Sequence, residues 1–256
     1  MDFLQILILS AIQGITEFLP ISSQSHLILT SALLGMKDQG LGFDIALHSG
    51  SLFAILIYYR KEIYKIVSAS NEGMQYLKLI IIGSIPLPII GLLFVDLVST
   101  NMRSIESVAF MTIIFAFILY FSDTKKKNTI SELQSISIFT IVFIGFMQTL
   151  AIMPGVSRSG IVITAALLAN FSRENSIKIS FLLSIPAIFM ATVYQSMKLY
   201  EIGDIEILNE HLLGMFLSLI FSYITIHLFI STINKISFTP YIVYRLILGI
   251  VLIGFF

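Results

Sequence analysis

No cysteine occurs in the 256 residues, which excludes disulfides and any metal site built on thiolates. Charge is also scarce. Only 12% of residues are Asp, Glu, Lys or Arg, about half the roughly 25% usual in a soluble domain. The charges present cancel, 15 basic against 15 acidic, so there is no electrostatic footprint for nucleic acid. Met1-Asp2-Phe3 lacks a basic stretch and a polar motif follows at once, so no cleaved signal peptide is expected. What fills the chain is apolar: 57% hydrophobic residues and a mean hydropathy of +0.95. One core cannot hide that much apolar surface, and the solvent it fits is a bilayer.

A spanning helix needs about 20 mostly apolar residues. Six stretches meet this roughly: 43–59, 74–98, 105–122, 178–197, 211–233 and 240–256. Two more, 4–34 and 136–169, are apolar but broken near the middle by Pro, Gly and Ser. Irregular backbone at membrane depth survives only where protein or a wet cavity satisfies its amides. Each is therefore expected to be a helical hairpin that re-enters on its own side, and the two breaks are expected to line one cavity. Arg60, Lys61, Lys65 and Lys125–Lys127 mark a cytoplasmic side, and the acidic loop 201–210 falls on the other. The two hairpins then dip in from opposite faces. Pro20-Ile21-Ser22-Ser23-Gln24-Ser25 lines up with Pro154-Gly155-Val156-Ser157-Arg158-Ser159, as expected of an inverted-topology repeat divided into 1–124 and 125–256. The expected fold is a single all-α integral membrane domain of six transmembrane helices and two re-entrant hairpins.

The breaks carry the chemistry. A charge at mid-membrane costs about 2.5–3.5 kcal/mol on insertion scales, so such groups usually mark function. In the second break, Gly155 and Gly160 flank Ser157, Arg158 and Ser159, and an apolar run follows. A helix start offers free amides to an anion, and a guanidinium suits phosphate oxygens. This reads as a diphosphate cradle; the plainer alternative is an interfacial arginine among serine caps. In the first break, Glu17 and His26 flank the turn containing Ser22 and Ser23. Glu17 could hold a divalent cation or take a proton. His26 could attack phosphorus, or act as acid or base beside Ser23. The alternatives are a histidine bonded to backbone and serines acting as caps. Gln13, one turn before Glu17, could orient it, and Gln148 could face the cavity. Asp44 and His48, four apart at the start of a span, read as helix capping or as groups near the outer mouth of the site, and Tyr241, Tyr244 and Arg245 as interfacial anchors. Together the breaks look suited to binding and cleaving a phosphate ester. A transporter would use the same architecture.

At these residues the sequence resembles the undecaprenyl-pyrophosphate phosphatases, the bacitracin-resistance type of membrane phosphatase. The resemblance rests on Gly14-Ile15-Thr16-Glu17-Phe18-Leu19-Pro20-Ile21-Ser22-Ser23 with His26, and on Pro154-Gly155-Val156-Ser157-Arg158-Ser159-Gly160. It extends to Phe43–His48, to Phe181–Ala187, and to Thr239-Pro240-Tyr241 with Tyr244-Arg245. It implies hydrolysis of undecaprenyl diphosphate to the monophosphate and phosphate, which recycles the lipid carrier of cell-wall synthesis and confers bacitracin resistance. It also implies a Mg2+ or Ca2+ cofactor and a site in the bacterial cytoplasmic (inner) membrane, open to the periplasmic side. Glu17, Ser23, His26 and Arg158 would form its core. The expected partners are the polyprenyl diphosphate substrate and membrane lipid, with a homodimer allowed. Some members carry a second glutamate where this chain has Gln13, and most carry glycine where it has Ser25.

Overall fold

The computed structural model describes residues 2–33, 41–102, 104–124, 133, 136–202 and 209–255. The basic cluster Lys125–Lys127 and residues 203–208 of the acidic loop lie outside them. The described residues form helices: α1 (Phe3–Thr16), α2 (Ser23–Leu33), α3 (Leu41–Tyr58), α4 (Arg60–Val67), α5 (Asn71–Ser84), α6 (Pro86–Asn101), α7 (Ile105–Thr124), α8 (Ile138–Thr149), α9 (Arg158–Leu168), α10 (Arg173–Ile202), α11 (Asn209–Ile236) and α12 (Thr239–Phe255). Short polar residues start them. Asp2 and Gln5 form a reciprocal capping box on α1, Ser70 caps α5 and Ser137 caps α8, each satisfying amides that the first turn leaves free.

Four helical stretches are long and apolar enough to cross a membrane: Asn71–Phe94, Ile105–Thr124, Arg173–Glu201 and Asn209–Ile233. The first joins α5 to α6, because Ile85 keeps helical angles and Pro86 occupies the first position of the new helix, where its missing N–H is tolerated. The expected span 43–59 corresponds to α3; at Tyr59 the chain bends by 71° into α4, and the pair counts as a fifth span only if taken together. The expected span 240–256 forms α12, a 17-residue apolar helix. The protein is thus all-helical with four or five candidate spans among the described residues. Large side chains such as Leu92, Leu93, Phe121 and Phe139 lie exposed along these helices, as lipid-facing residues do.

The two interrupted segments behave alike. At about 1.5 Å per residue, α1 with 14 residues and α9 with 11 are far shorter than the roughly 30 Å hydrocarbon core. Each break ends at a serine with φ +70°, Ser22 in one and Ser157 in the other, and the next residue starts a helix. A glutamine stands nine residues before each serine, Gln13 and Gln148, and both are fully buried. The matching register therefore pairs Ser22 with Ser157 and Pro20 with Gly155, one residue away from the proline-to-proline alignment.

Small residues and hydroxyls let the helices approach. α1 lies along α11, with Ser10 Oγ donating to the Gly214 carbonyl at 3.2 Å. α3 lies along the same helix, where Ser218 Oγ donates to Leu47 O (2.8 Å) and Ser222 Oγ to Ser51 Oγ (3.0 Å). α8 lies along α5 and α6, and α12 along α7. A Cβ added at Gly50 would collide with the backbone carbonyl of Met215. Gly50→Ala is expected to push α3 off α11 at about 1–3 kcal/mol, read as a fall of several degrees in the unfolding midpoint in detergent. An unchanged midpoint would show that the contact can slide.

Candidate active site

The α1–α2 break and the α8–α9 break meet. Glu17 Oε1 accepts a hydrogen bond from Arg158 Nη2 at 2.8 Å. The two side chains are only 9% and 13% exposed, respectively, so this is a largely desolvated ion pair between residues 141 apart in the chain. Glu17 Oε2 accepts from Ser23 Oγ at 3.0 Å and from Gln13 Nε2 at 3.1 Å. Arg158 also donates from Nη1 to the Ser180 carbonyl of α10 at 3.3 Å. Glu17 is thus held from its own helix, from the start of α2 and from the start of α9. His48, on α3, donates from Nδ1 to Asp44 O at 2.9 Å, a bond within its own helix.

The other serines hold the turns. Ser157 Oγ accepts from the Gly160 amide at 3.2 Å and lies 3.2 Å from Ser159 Oγ. Ser159 Oγ donates across the interface to Leu19 O at 2.8 Å. Ser25 Oγ donates to Ser22 Oγ at 3.0 Å, so the serine in place of the usual glycine supports the strained Ser22. All four are buried. Gly155, at φ +91°, takes a conformation that favours glycine. Gln148 is fully buried, but neither of its amide atoms hydrogen-bonds to protein; it does not join the Glu17 cluster through a hydrogen bond.

His26 sits apart from that cluster in its bonding. Its Nδ1 lies 2.7 Å from Ser22 O and its Nε2 2.6 Å from Tyr244 Oη. A carbonyl can only accept, so Nδ1 carries a proton, and in the neutral ring Nε2 accepts from the phenol. The two rings are stacked, with centroids 5.4 Å apart. Tyr244 is therefore a partner of a motif residue, beyond the anchoring expected of it. Arg245 departs further from expectation: it is fully buried, and among the described residues its guanidinium donates to carbonyls alone, those of Thr112 (3.2 Å), Pro20 (3.3 Å), Gly155 (3.0 Å) and Val156 (3.1 Å). One signal in the sequence bears on this: Arg245 stands six residues inside α12, about 9 Å from its start, deeper than an interfacial anchor needs to be.

Among the described residues no three His, Asp or Glu side chains converge as a self-sufficient metal site. A substrate-assisted site fits better. Gln13 Oε1 is buried without a hydrogen-bond partner, one turn from the Glu17 carboxylate. Hard cations favour such oxygens, and Mg2+ is commonly held by one or two carboxylates together with substrate phosphates.

Residues 6–251 match the family model described as bacitracin resistance protein BacA. An undecaprenyl-diphosphatase of Saccharophagus degradans is 42% identical over 97% of this chain and 96% of its own. Undecaprenyl-diphosphatase 1 of Pseudoalteromonas translucida is 41% identical over 100% and 99%, and an undecaprenyl-diphosphatase of Teredinibacter turnerae is 40% identical over 98% of each. With this likeness end to end, and with both motifs converging on one buried ion pair, the chain belongs to the bacitracin resistance protein BacA family.

Proposed function

We propose that this protein hydrolyses undecaprenyl diphosphate to undecaprenyl phosphate and inorganic phosphate. The observation that carries the reading is the convergence of Ser23 Oγ, the Glu17 carboxylate and Arg158 Nη2 across two breaks, at 3.0 and 2.8 Å. The three relatives are each named a diphosphatase, and the transporter alternative has no support among them.

The geometry supports a serine nucleophile with a carboxylate base. Ser23 Oγ already points its proton at Glu17, the arrangement of an activated nucleophile and its base. As Ser23 Oγ attacks the terminal phosphorus, Glu17 takes the proton and the bond to the bridging oxygen breaks. Undecaprenyl phosphate leaves with the electron pair, and water then cleaves the phosphoserine. Arg158 turns from Glu17 to the phosphoryl oxygens and neutralises charge as it develops. His26 is the weaker nucleophile candidate, because both its ring nitrogens are engaged. The Glu17 carboxylate and Gln13 Oε1 would hold a divalent cation, Mg2+ or Ca2+, which when bound draws charge from the diphosphate oxygens.

The finer architecture belongs to the same reading: six spans, two opposed re-entrant hairpins and an inverted repeat of 1–124 and 125–256. Its support is the pair of positive-φ serines, the equivalent glutamines, and the exchange of short helices. α1 packs on α11 of the second half, and α8 on α5 and α6 of the first. The site would open to the outer face of the bacterial inner membrane, where the lipid's head group is presented with its tail in the bilayer. The test is purified protein in detergent, where vectorial transport is impossible. Release of phosphate from undecaprenyl diphosphate, with 32P trapped on Ser23, is the expected result. Folded protein that releases none would restore the transporter.

A further inference from the structure

Arg245 is a fully buried cation with no carboxylate among its hydrogen-bond partners in the described residues, and the reaction above does not use it. Its bonds fall in a pattern. Pro20 O lies two residues before Ser22, and Gly155 O lies two residues before Ser157; Val156 O lies one before. Ser22 and Ser157 are the residues held at φ +70°, a region that costs a non-glycine residue about 1–3 kcal/mol and persists only when the surroundings over-determine it. One guanidinium therefore grips the peptides that lead into both strained turns. The fit is close: a Cβ on Gly160 would come within 3.0 Å of Arg245 Nη1. The remaining bond, to Thr112 O of α7, fixes the fork against a long helix.

We propose that Arg245 is a positioning residue of the phosphate site. It locks the two breaks in register and keeps both serines in their left-handed turns, so that Ser23 and Glu17 on one break meet Arg158 and the first amides of α9 on the other. Its grip on three carbonyls also turns those acceptors toward α12. The inference rests on the hydrolase reading only in naming the anion a diphosphate. A planar fork is required because the carbonyls lie on different breaks; a lysine ammonium supplies charge from a single point.

The test uses full-length protein in detergent and inorganic pyrophosphate as probe, with affinity measured by calorimetry and folding by thermal unfolding. Arg245→Lys and Arg245→Met are expected to weaken pyrophosphate binding at least tenfold and to lower kcat. Adding Ser157→Gly to Arg245→Lys should restore at least threefold in affinity, because glycine takes the left-handed turn without strain. A filler of space or satisfier of carbonyls predicts no such rescue. Wild-type affinity in either folded variant, absence of the rescue, or failure of both variants to fold overturns the proposal. Because the readout needs no turnover, wild-type protein that binds pyrophosphate but releases no phosphate from the lipid sinks the hydrolase reading alone.

Discussion

Arg158→Ala is expected to reduce phosphate release from undecaprenyl diphosphate by about 10³-fold or more, the scale seen when an arginine that neutralises phosphoryl charge is removed. No carboxylate stands within 15 residues of Arg158 in the sequence, and local rules alone would let the variant fold normally. The ion pair to Glu17 changes that expectation. With the guanidinium gone, a carboxylate only 9% exposed is left unpaired, and breaking a buried pair from one side costs about 3–5 kcal/mol. The variant should therefore lose stability as well as turnover. Replacing both partners, as Glu17→Gln with Arg158→Met, removes the stranded charge. That double variant should recover most of the unfolding midpoint and none of the activity. A single variant that turns over at wild-type rate would remove Arg158 from the phosphate site. A double variant no more stable than Arg158→Ala would show that the pair is not what holds the breaks together.

Glu17→Gln should be comparably inactive but should differ in binding. The amide keeps the carboxylate's shape, yet Ser23 loses its base and the cation loses its only charged ligand. Turnover should fall by about 10²–10⁴-fold, the range for a lost general base, and stimulation by divalent cations should vanish. At the same time Arg158 is released from its counter-ion. An anion site relieved of a neighbouring negative charge binds anions more strongly. In chelator, Glu17→Gln should therefore bind pyrophosphate more tightly than wild type while cleaving nothing. Retained metal stimulation, or weaker pyrophosphate binding without metal, would place the cation elsewhere and leave Glu17 a structural partner of Arg158.

These two residues were legible in the sequence because ionisable groups inside an apolar run are expensive, and few structural reasons keep them there. The same logic located both breaks. It failed where a residue's setting is made by segments far away. Arg245 follows Thr-Pro-Tyr near the start of the last helix, and local rules make it an anchor. Only the fold brings Pro20, Thr112, Gly155 and Val156 around it. The second partner of Tyr244 was hidden for the same reason, His26 lying 218 residues away. The hydroxyls of Ser157 and Ser159 also cap α9 and bridge to Leu19, partners that the residue types alone do not reveal. The basic cluster from Arg60 marked the end of the expected span 43–59, but not that the chain turns there by 71° into α4, because hydropathy carries no direction.

Composition by itself determined the solvent, and the long unbroken apolar runs determined the secondary structure, because a bilayer core offers no partner to a free peptide group and a run of about 20 apolar residues satisfies its backbone within a helix. The spacing of polar residues determined which two segments break and which side chains the breaks carry. The tertiary structure alone decided which of those side chains meet. Glu17 and Arg158 are 141 residues apart, and no local preference acts over that separation. Helix packing brings them together, and a guanidinium from a third segment ties the two turns through backbone carbonyls, atoms that every residue shares and no sequence motif can mark.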